Sequence, residues 1–385
     1  MTDTRPDYLP FGKPNFSEAE IDAVTKVIRS GWIGMGPETI AFEKELEVFV
    51  EAPHVVTVNS CTSALFLSLL VSGIGPEDEV ICPSLTWCST ANVALYLGAK
   101  IVFCDVDADT LCVTVDSILE KITPRTKAVM VVHMGGLAVD VAALREKLPE
   151  HIEIIEDAAH AIGARYPNGR PVGSSGNLTC FSFYANKNLS TGEGGAVALH
   201  DEKKADRLRT LRQHGLTNDA WKRFSHPQAA LTPALIELGY KMNYTDLNAC
   251  IGRVQLQRQA EFQATRCEIA NTYLKRLGSM HKKLLPQSGL ESESHAKHLF
   301  VVRLPIGEMA LSRNEVVLAL RAKNVGASIH YSPLHTMPLY ALENSATTLQ
   351  NTEELAGEIM TLPISASMSL ADANGVIDQL ITIIE

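Results

Sequence analysis

The chain has 385 residues, 46% of them hydrophobic and 20% charged, and carries a formal net charge of −10. That length exceeds what one core ordinarily supports and predicts two domains of ordinary globular composition. So acidic a balance argues against a nucleic-acid groove, which needs a basic face, yet leaves room for small anions held by a few local groups.

The start, MTDTRPDYLPFG, lacks the apolar centre of a signal peptide, and no apolar run reaches the ~18 residues of a membrane span. A cytoplasmic protein with no membrane partner is the expectation. From residue 55 to about 200, short apolar runs alternate with helical patterns. VVTV (55–58) precedes TSALFLSLLVSG, and EVICP (79–83) precedes STANVALYLG. KIVFCDVD (100–107) leads to a capped segment near Thr114, and KAVMVVH (127–133) precedes VDVAALREKL. IEIIEDAA (152–159), TCFSFY (179–184) and GAVALH (195–200) complete the series. Such alternation specifies an α/β fold with a large, mostly parallel sheet covered on both faces.

Beyond residue 245 the pattern changes. LNACIGRVQLQRQAEFQATRCEIANTYLKRL reads as one long helix, followed by a strand in HLFVVRLP (298–305), a helix near 312–323 and a strand in ASIHYSPLH (327–335). The boundary is expected near 245–255. Residues 1–250 form a large α/β domain with an N-terminal arm, and 251–385 a smaller α+β domain to which the N-terminal segment also contributes. The eight cysteines mostly sit in apolar segments without a CxxC pair, so buried reduced thiols and no metal site are expected.

Five features bear on chemistry. VTVNSCTSAL is a strand end running into a helix start, where Thr62 or Ser63 can offer a hydroxyl beside free backbone N–H groups, although plain helix capping fits equally well. Gly192, Gly194 and Gly195 suit either close backbone approach to a ligand or a tight turn, and no G-x-G-x-x-G follows the first strand. Asp157 closes a strand that reads as buried, where a carboxylate needs a cation or several hydrogen bonds; a structural salt bridge or a pyridinium nitrogen would serve. Trp87, just after the second strand, can stack on a flat cofactor or pack in a core. Lys187, in FSFYANKNLSTGEGG, is either a loop residue or a pocket amine. Together these give a phosphate cup, a ring stacker, a ring-nitrogen acid and a Schiff-base lysine, the parts that pyridoxal phosphate chemistry requires.

The chain resembles the DegT/DnrJ/EryC1/StrS family, sugar aminotransferases of the aspartate aminotransferase superfamily with fold type I. The resemblance runs from SGWIGMGPET through CPSLTWCSTANVALYLGA, IEDAAHAIGA, SFYANKNLSTGEGG and GYKMNYTDLNA to IHYSPLH. It is similar above all to the branch that aminates UDP-4-keto-pentose, the UDP-4-amino-4-deoxy-L-arabinose synthases. The resemblance implies pyridoxal 5'-phosphate as cofactor, and a nucleotide-linked keto-sugar and L-glutamate as substrates. Lys187 would form the internal aldimine and shuttle the proton, and Asp157 would pair with the ring nitrogen. His160 would lie near the ring, Trp87 would stack on it, and Thr62, Ser63 and Ser182 would hold the phosphate. Asn243 would reach the phosphate of a second subunit, so a homodimer with shared active sites is implied. Trp32, Glu193, Arg223, His330 and Tyr331 would face the substrate. Cys61, Tyr184 and the Ala185–Asn186 pair depart from common family forms, with Cys61 expected to crowd the phosphate loop. A deoxysugar dehydratase of the same family would carry His where this chain has Lys187, and a non-catalytic regulator would have lost cofactor contacts that are all present here.

Overall fold

The computed structural model describes residues 4–217, 233–281, 283–342, 344 and 347–385. Seven apolar runs form one sheet: β1 (His54–Val58), β2 (Glu79–Pro83), β3 (Lys100–Cys104), β4 (Thr126–Val132), β5 (Glu153–Asp157), β6 (Leu178–Ser182) and β7 (Gly195–Leu199). Their spatial order is β1-β7-β6-β5-β4-β2-β3, and β7 alone is reversed, antiparallel to both β1 and β6. Strands β2, β6 and β7 are buried along their whole length. That is why they read as continuous apolar runs and not as alternations. One core, around Phe42, Leu46, Val129, Ile154 and Phe181, covers one face; another, around Leu65, Leu69, Val80, Met130 and Val197, covers the other.

The 247–277 stretch is not one helix. It breaks at Arg258 (φ −93°, ψ 3°) into Asp246–Gln257 and Gln259–Leu277. No glycine or proline marks the break. The Arg258 guanidinium instead bonds the Asn15 carbonyl at 3.3 Å and Glu20 at 3.1 Å, tying the bend to the N-terminal segment. The first helix packs against Glu18–Ser30 and Pro37–Phe49, the second against Leu370–Ile384. N-terminal contacts reach the C-terminal part, among them a bridge from Leu9 to Val325 and an ion pair from Arg5 to Asp372.

That C-terminal part holds an antiparallel sheet of order β10-β9-β8, from β8 (Leu285–Pro286), β9 (Phe300–Arg303) and β10 (Ile359–Leu362). HLFVVRLP supplies β9. ASIHYSPLH does not form a strand: only Ser328 bridges, to Thr361, and the segment continues into a short 3-10 turn at Leu334–Thr336. The turn packs inward, with Leu334 N donating to the Ser84 carbonyl at 3.0 Å, and the third strand is supplied by β10. A shared cluster of Leu85, Val106, Met134, Leu299 and Val301 joins the small sheet to the edge of the large one. All eight cysteines are free thiols, and no cluster of metal-ligating side chains occurs among the described residues. No helix among them is long and apolar enough to cross a membrane.

Candidate active site

Strands β1, β2, β4, β5 and β6 direct their carboxyl ends to one cavity of about 480 Å³. This is where open α/β sheets take ligands. Lys187 enters it from the β6–β7 connection. The reversal of β7 folds that connection back on itself, with Phe183 N donating to the Gly194 carbonyl and Thr191 N to the Phe183 carbonyl, both at 2.9 Å. Gly195 has to be glycine: a Cβ there would lie 2.6 Å from the Cys61 nitrogen, because the first turn of the helix Cys61–Val71 rests against β7. Gly194, at φ +155°, leaves room for the Tyr244 ring, which a Cβ would meet at 2.5 Å. The glycine cluster thus serves a turn and close internal packing.

The helix start forms the cup, but its capping residue is Ser60, whose hydroxyl accepts from Ser63 N at 3.1 Å. Ser60, Cys61 and Thr62 line the cavity, and Thr62 Oγ1 donates to Ser89 Oγ at 2.9 Å. Ser63 does not line it; its hydroxyl donates to Asn59 Oδ1 at 2.6 Å. Cys61 turns its thiol toward the Cys180 carbonyl, at 3.7 Å. Ser182, at the end of β6, lines the cavity from the adjoining strand.

Asp157 is the last residue of β5 and is buried. It accepts from Thr90 Oγ1 at 2.8 Å and from Ala159 N at 3.1 Å. Burial pushes its carboxyl up, and the Thr90 and Ala159 bonds pull back only in part. Burial pushes the Lys187 amine down to about 8, against the pull of Asp157 and Cys61. His160 stacks between His298 (ring centroids 4.6 Å apart) and Tyr331 (6.1 Å), and its Nε2 lies 3.1 Å from the Tyr331 hydroxyl. Trp87, 60% exposed, stands at the mouth 6.0 Å from the Tyr331 ring. Burial holds His160 and His298 well below the usual imidazole range and His330 at about 3, so these rings are neutral at physiological pH.

The structure therefore gathers Thr62, Trp87, Asp157, His160, Ser182, Lys187, Glu193, His330 and Tyr331 at one cavity. Trp32 and Asn243 do not line it: Trp32 Nε1 donates to the Met35 carbonyl, and Asn243 Nδ2 to the Tyr244 carbonyl. Arg223 lies outside the described residues. Sequence reasoning missed Ser60, Thr90 and His298. Ser60 could have been found as the first serine before the helix pattern; the other two carry no local signal.

The residues fit pyridoxal phosphate. Asp157 is a buried carboxylate with two donors and an upward-shifted pKa, the condition that a cationic ring nitrogen would relieve. His160 Nδ1 and Asn186 Oδ1 are buried without a hydrogen-bond partner among the described residues, and both residues border the same space. The start of the helix Cys61–Val71 borders the same cavity and offers its first backbone N–H groups to a phosphate.

The chain matches the family model described as the DegT/DnrJ/EryC1/StrS aminotransferase family over residues 14–381. It is 40% identical over 382 residues to the spore coat polysaccharide biosynthesis protein SpsC of Bacillus subtilis (strain 168), covering 98% of this chain and 97% of that one. Among solved structures it is similar to the aminotransferase TlmJ from Streptoalloteichus hindustanus, with 34% identity, a TM-score of 0.89 and coverage of 97% and 98%. It is also similar to the putative sugar aminotransferase Spr1654 from Streptococcus pneumoniae in its PLP form, with 29% identity, a TM-score of 0.88 and coverage of 98% of each chain.

Proposed function

This chain belongs to the DegT/DnrJ/EryC1/StrS aminotransferase family, and from that premise we propose that it moves an amino group from L-glutamate to C4 of a nucleotide-linked keto-sugar of the UDP-4-keto-pentose kind. Pyridoxal 5'-phosphate, when bound, supplies an electron sink for the charge that develops on the donor's α-carbon. The observation that carries the reading is the meeting of Lys187 and Asp157 in one cavity with opposed shifts, an amine drawn down to about 8 and a carboxyl pushed up.

Each residue then has a defined task. An amine near 8 exists in both protonation states around neutral pH, so Lys187 can take a proton from the donor's α-carbon and return it to the carbon that needs it. Asp157 would face the ring nitrogen and favour its protonated form. Ser60, Thr62, Ser182 and the first N–H groups of Cys61–Val71 would hold the phosphate. Trp87 and Tyr331 border the mouth, where they would shield the reacting atoms from water and leave the nucleotide outside. The polysaccharide role named for SpsC supports a product that feeds polysaccharide assembly.

The working unit is a homodimer with shared sites. Its support is the large apolar side chains exposed at the cavity mouth, Trp87, and along the Asn243 segment, Leu235, Ile236 and Leu238. Asn243 avoids its own chain's cavity, which leaves it available to a neighbour's. Two experiments test these readings. A panel of 4-keto and 3-keto nucleotide sugars, offered to the pyridoxamine form, should give amination of a 4-keto substrate; exclusive turnover of a 3-keto sugar, or of none, defeats the C4 assignment. Mixing Lys187→Ala chains with Asn243→Asp chains should restore activity, since one site of a mixed dimer escapes both lesions. Free mixing without recovery rules out shared sites.

A further inference from the structure

We infer that His298, delivered by the C-terminal part of the chain, is a positioning residue for Lys187: its Nε2 lone pair accepts an N–H of the Lys187 amine and fixes where that amine points. The functional meaning rests on the aminotransferase reading above; the geometry rests on hydrogen-bond accounting alone.

That accounting starts at Asn188, which is buried next to Lys187 in sequence. The atom of its side-chain amide that faces the Ala296 carbonyl, at 2.8 Å, has to be nitrogen, because a carbonyl oxygen only accepts. Its other atom is then the oxygen, and this lies 3.1 Å from His298 Nδ1. An amide oxygen cannot donate, so Nδ1 of His298 carries the proton. In a neutral imidazole the second nitrogen is left with a lone pair only, and it stands 3.4 Å from Lys187 Nζ. Burial and the nearby Lys187 charge keep the ring neutral. Lys187 is therefore the donor to His298, whether the lysine is an amine or an ammonium.

The ring is held from several sides. Ala296 N donates to the Gly136 carbonyl at 2.8 Å and Leu299 N to the Gly135 carbonyl at 2.9 Å, so the segment leading into β9 is docked on the loop after β4. Gln259 Nε2 donates to the Asn188 carbonyl at 3.0 Å. The other titratable groups that face Lys187 are Asp157, Cys61, His160 and His330. Among the described residues only His298 is recorded within hydrogen-bond distance of Nζ. One N–H of the amine is thus occupied, and its remaining valences face the cavity. An amine that gains and loses protons keeps one anchor throughout.

Two measurements on the full chain test this without substrate. Histidine 15N spectra, with the His298 signals assigned by their loss in His298→Gln, should show a neutral ring protonated at Nδ1; an Nε2–H tautomer or a charged ring overturns the proposal. Competitive acetylation of Lys187 in the cofactor-free protein, followed by peptide mass spectrometry across pH, reads the midpoint of its amine. Loss of an acceptor for the ammonium in His298→Leu should lower that midpoint by about one pH unit. His298→Gln, which can return an oxygen to the same place, should move it back. An unchanged midpoint in folded His298→Leu overturns the proposal, and if that variant does not fold, the wild-type spectrum decides. Neither readout depends on a sugar being aminated, so failure of the functional reading and failure of this one are told apart.

Discussion

Glu156 and Asp157 are neighbours at the end of β5, both buried, and strand geometry sends them to opposite faces of the sheet. Glu156 accepts four side-chain hydrogen bonds, from His133 Nε2 (2.9 Å), Tyr166 (2.6 Å), Ser175 (2.5 Å) and Asn177 (2.8 Å). His133 Nδ1 already accepts from Val139 N, so a neutral ring donates from Nε2. Asp157 accepts two bonds, from Thr90 and Ala159. Burial pushes both carboxyls up. For Glu156 the bonds from His133, Ser175 and Tyr166 outweigh it and the net shift is downward; for Asp157 they do not. A saturated buried carboxylate is finished structure, whereas an undersupplied one, open to a cavity, still has affinity for a cation.

The largest expected effect breaks the comparison on the Asp157 side. Asp157→Asn keeps the size and an oxygen for Thr90 but removes the charge that would favour a protonated ring. Turnover should fall by about 10²–10³-fold, the usual cost of losing one electrostatic partner in an enclosed site. Thermal melting of the cofactor-free protein should change little. Near-normal turnover would reduce Asp157 to a structural strand-end carboxylate.

Glu156→Gln should do the reverse. It presents an N–H to a shell made of donors, so stability should drop by about 3 kcal/mol in denaturant titrations, while the folded fraction keeps its turnover. The pH dependence has a definite sign. Glu156 has a lowered folded-state pKa, so its contribution is present above the ordinary value of 4.5 and is lost as pH falls through the folded value. Wild type and Glu156→Gln should therefore converge in stability on acidification. Asp157, shifted upward from 3.8, acts oppositely: its cost develops as pH rises through that window. Convergence at neutral pH would mean that the Glu156 shell contributes nothing.

This contrast shows what a sequence can and cannot reveal. Strands β1 to β7 were legible because burial writes them as largely apolar runs; Asp157 was legible as a carboxylate closing one such run, and Trp87 and Lys187 as a flat aromatic and an amine in the segments just beyond two others. The separate fates of Glu156 and Asp157 were not, since their donors come from elements with no sequence relation to β5. His298 was hidden for the same reason, as was the Arg258 break, which depends on Asn15 and Glu20. ASIHYSPLH misled because its apolar alternation mimics a strand, although only Ser328 finds a backbone partner across the sheet. Roles for His160, His330 and Tyr331 came from the family resemblance, and the geometry brings all three to the cavity.

The smallest effect sharpens the comparison by changing the supply of donors alone. Thr90 sits in the first turn of the helix Ser89–Leu95; its hydroxyl donates to Asp157 Oδ2 at 2.8 Å and lies 2.9 Å from the Thr86 hydroxyl. Its one proton is committed to Asp157, so Thr86 is the donor in the second bond. Thr90→Val keeps the shape and leaves Asp157 with the Ala159 N–H as its remaining recorded donor. A hydrogen bond to a charged group contributes about 1.5–3 kcal/mol, part of which a bound cationic ring would replace, so a fall of about 10-fold in the single-turnover rate with glutamate is expected. Thr90→Ser should retain most of the rate. A loss in Thr90→Val as large as that of Asp157→Asn would mean that orientation by Thr90, and not the charge, sets the rate. No loss at all would mean that two donors were already more than Asp157 needs, and the contrast with Glu156 would then lie in the cavity beside it and not in its hydrogen bonds.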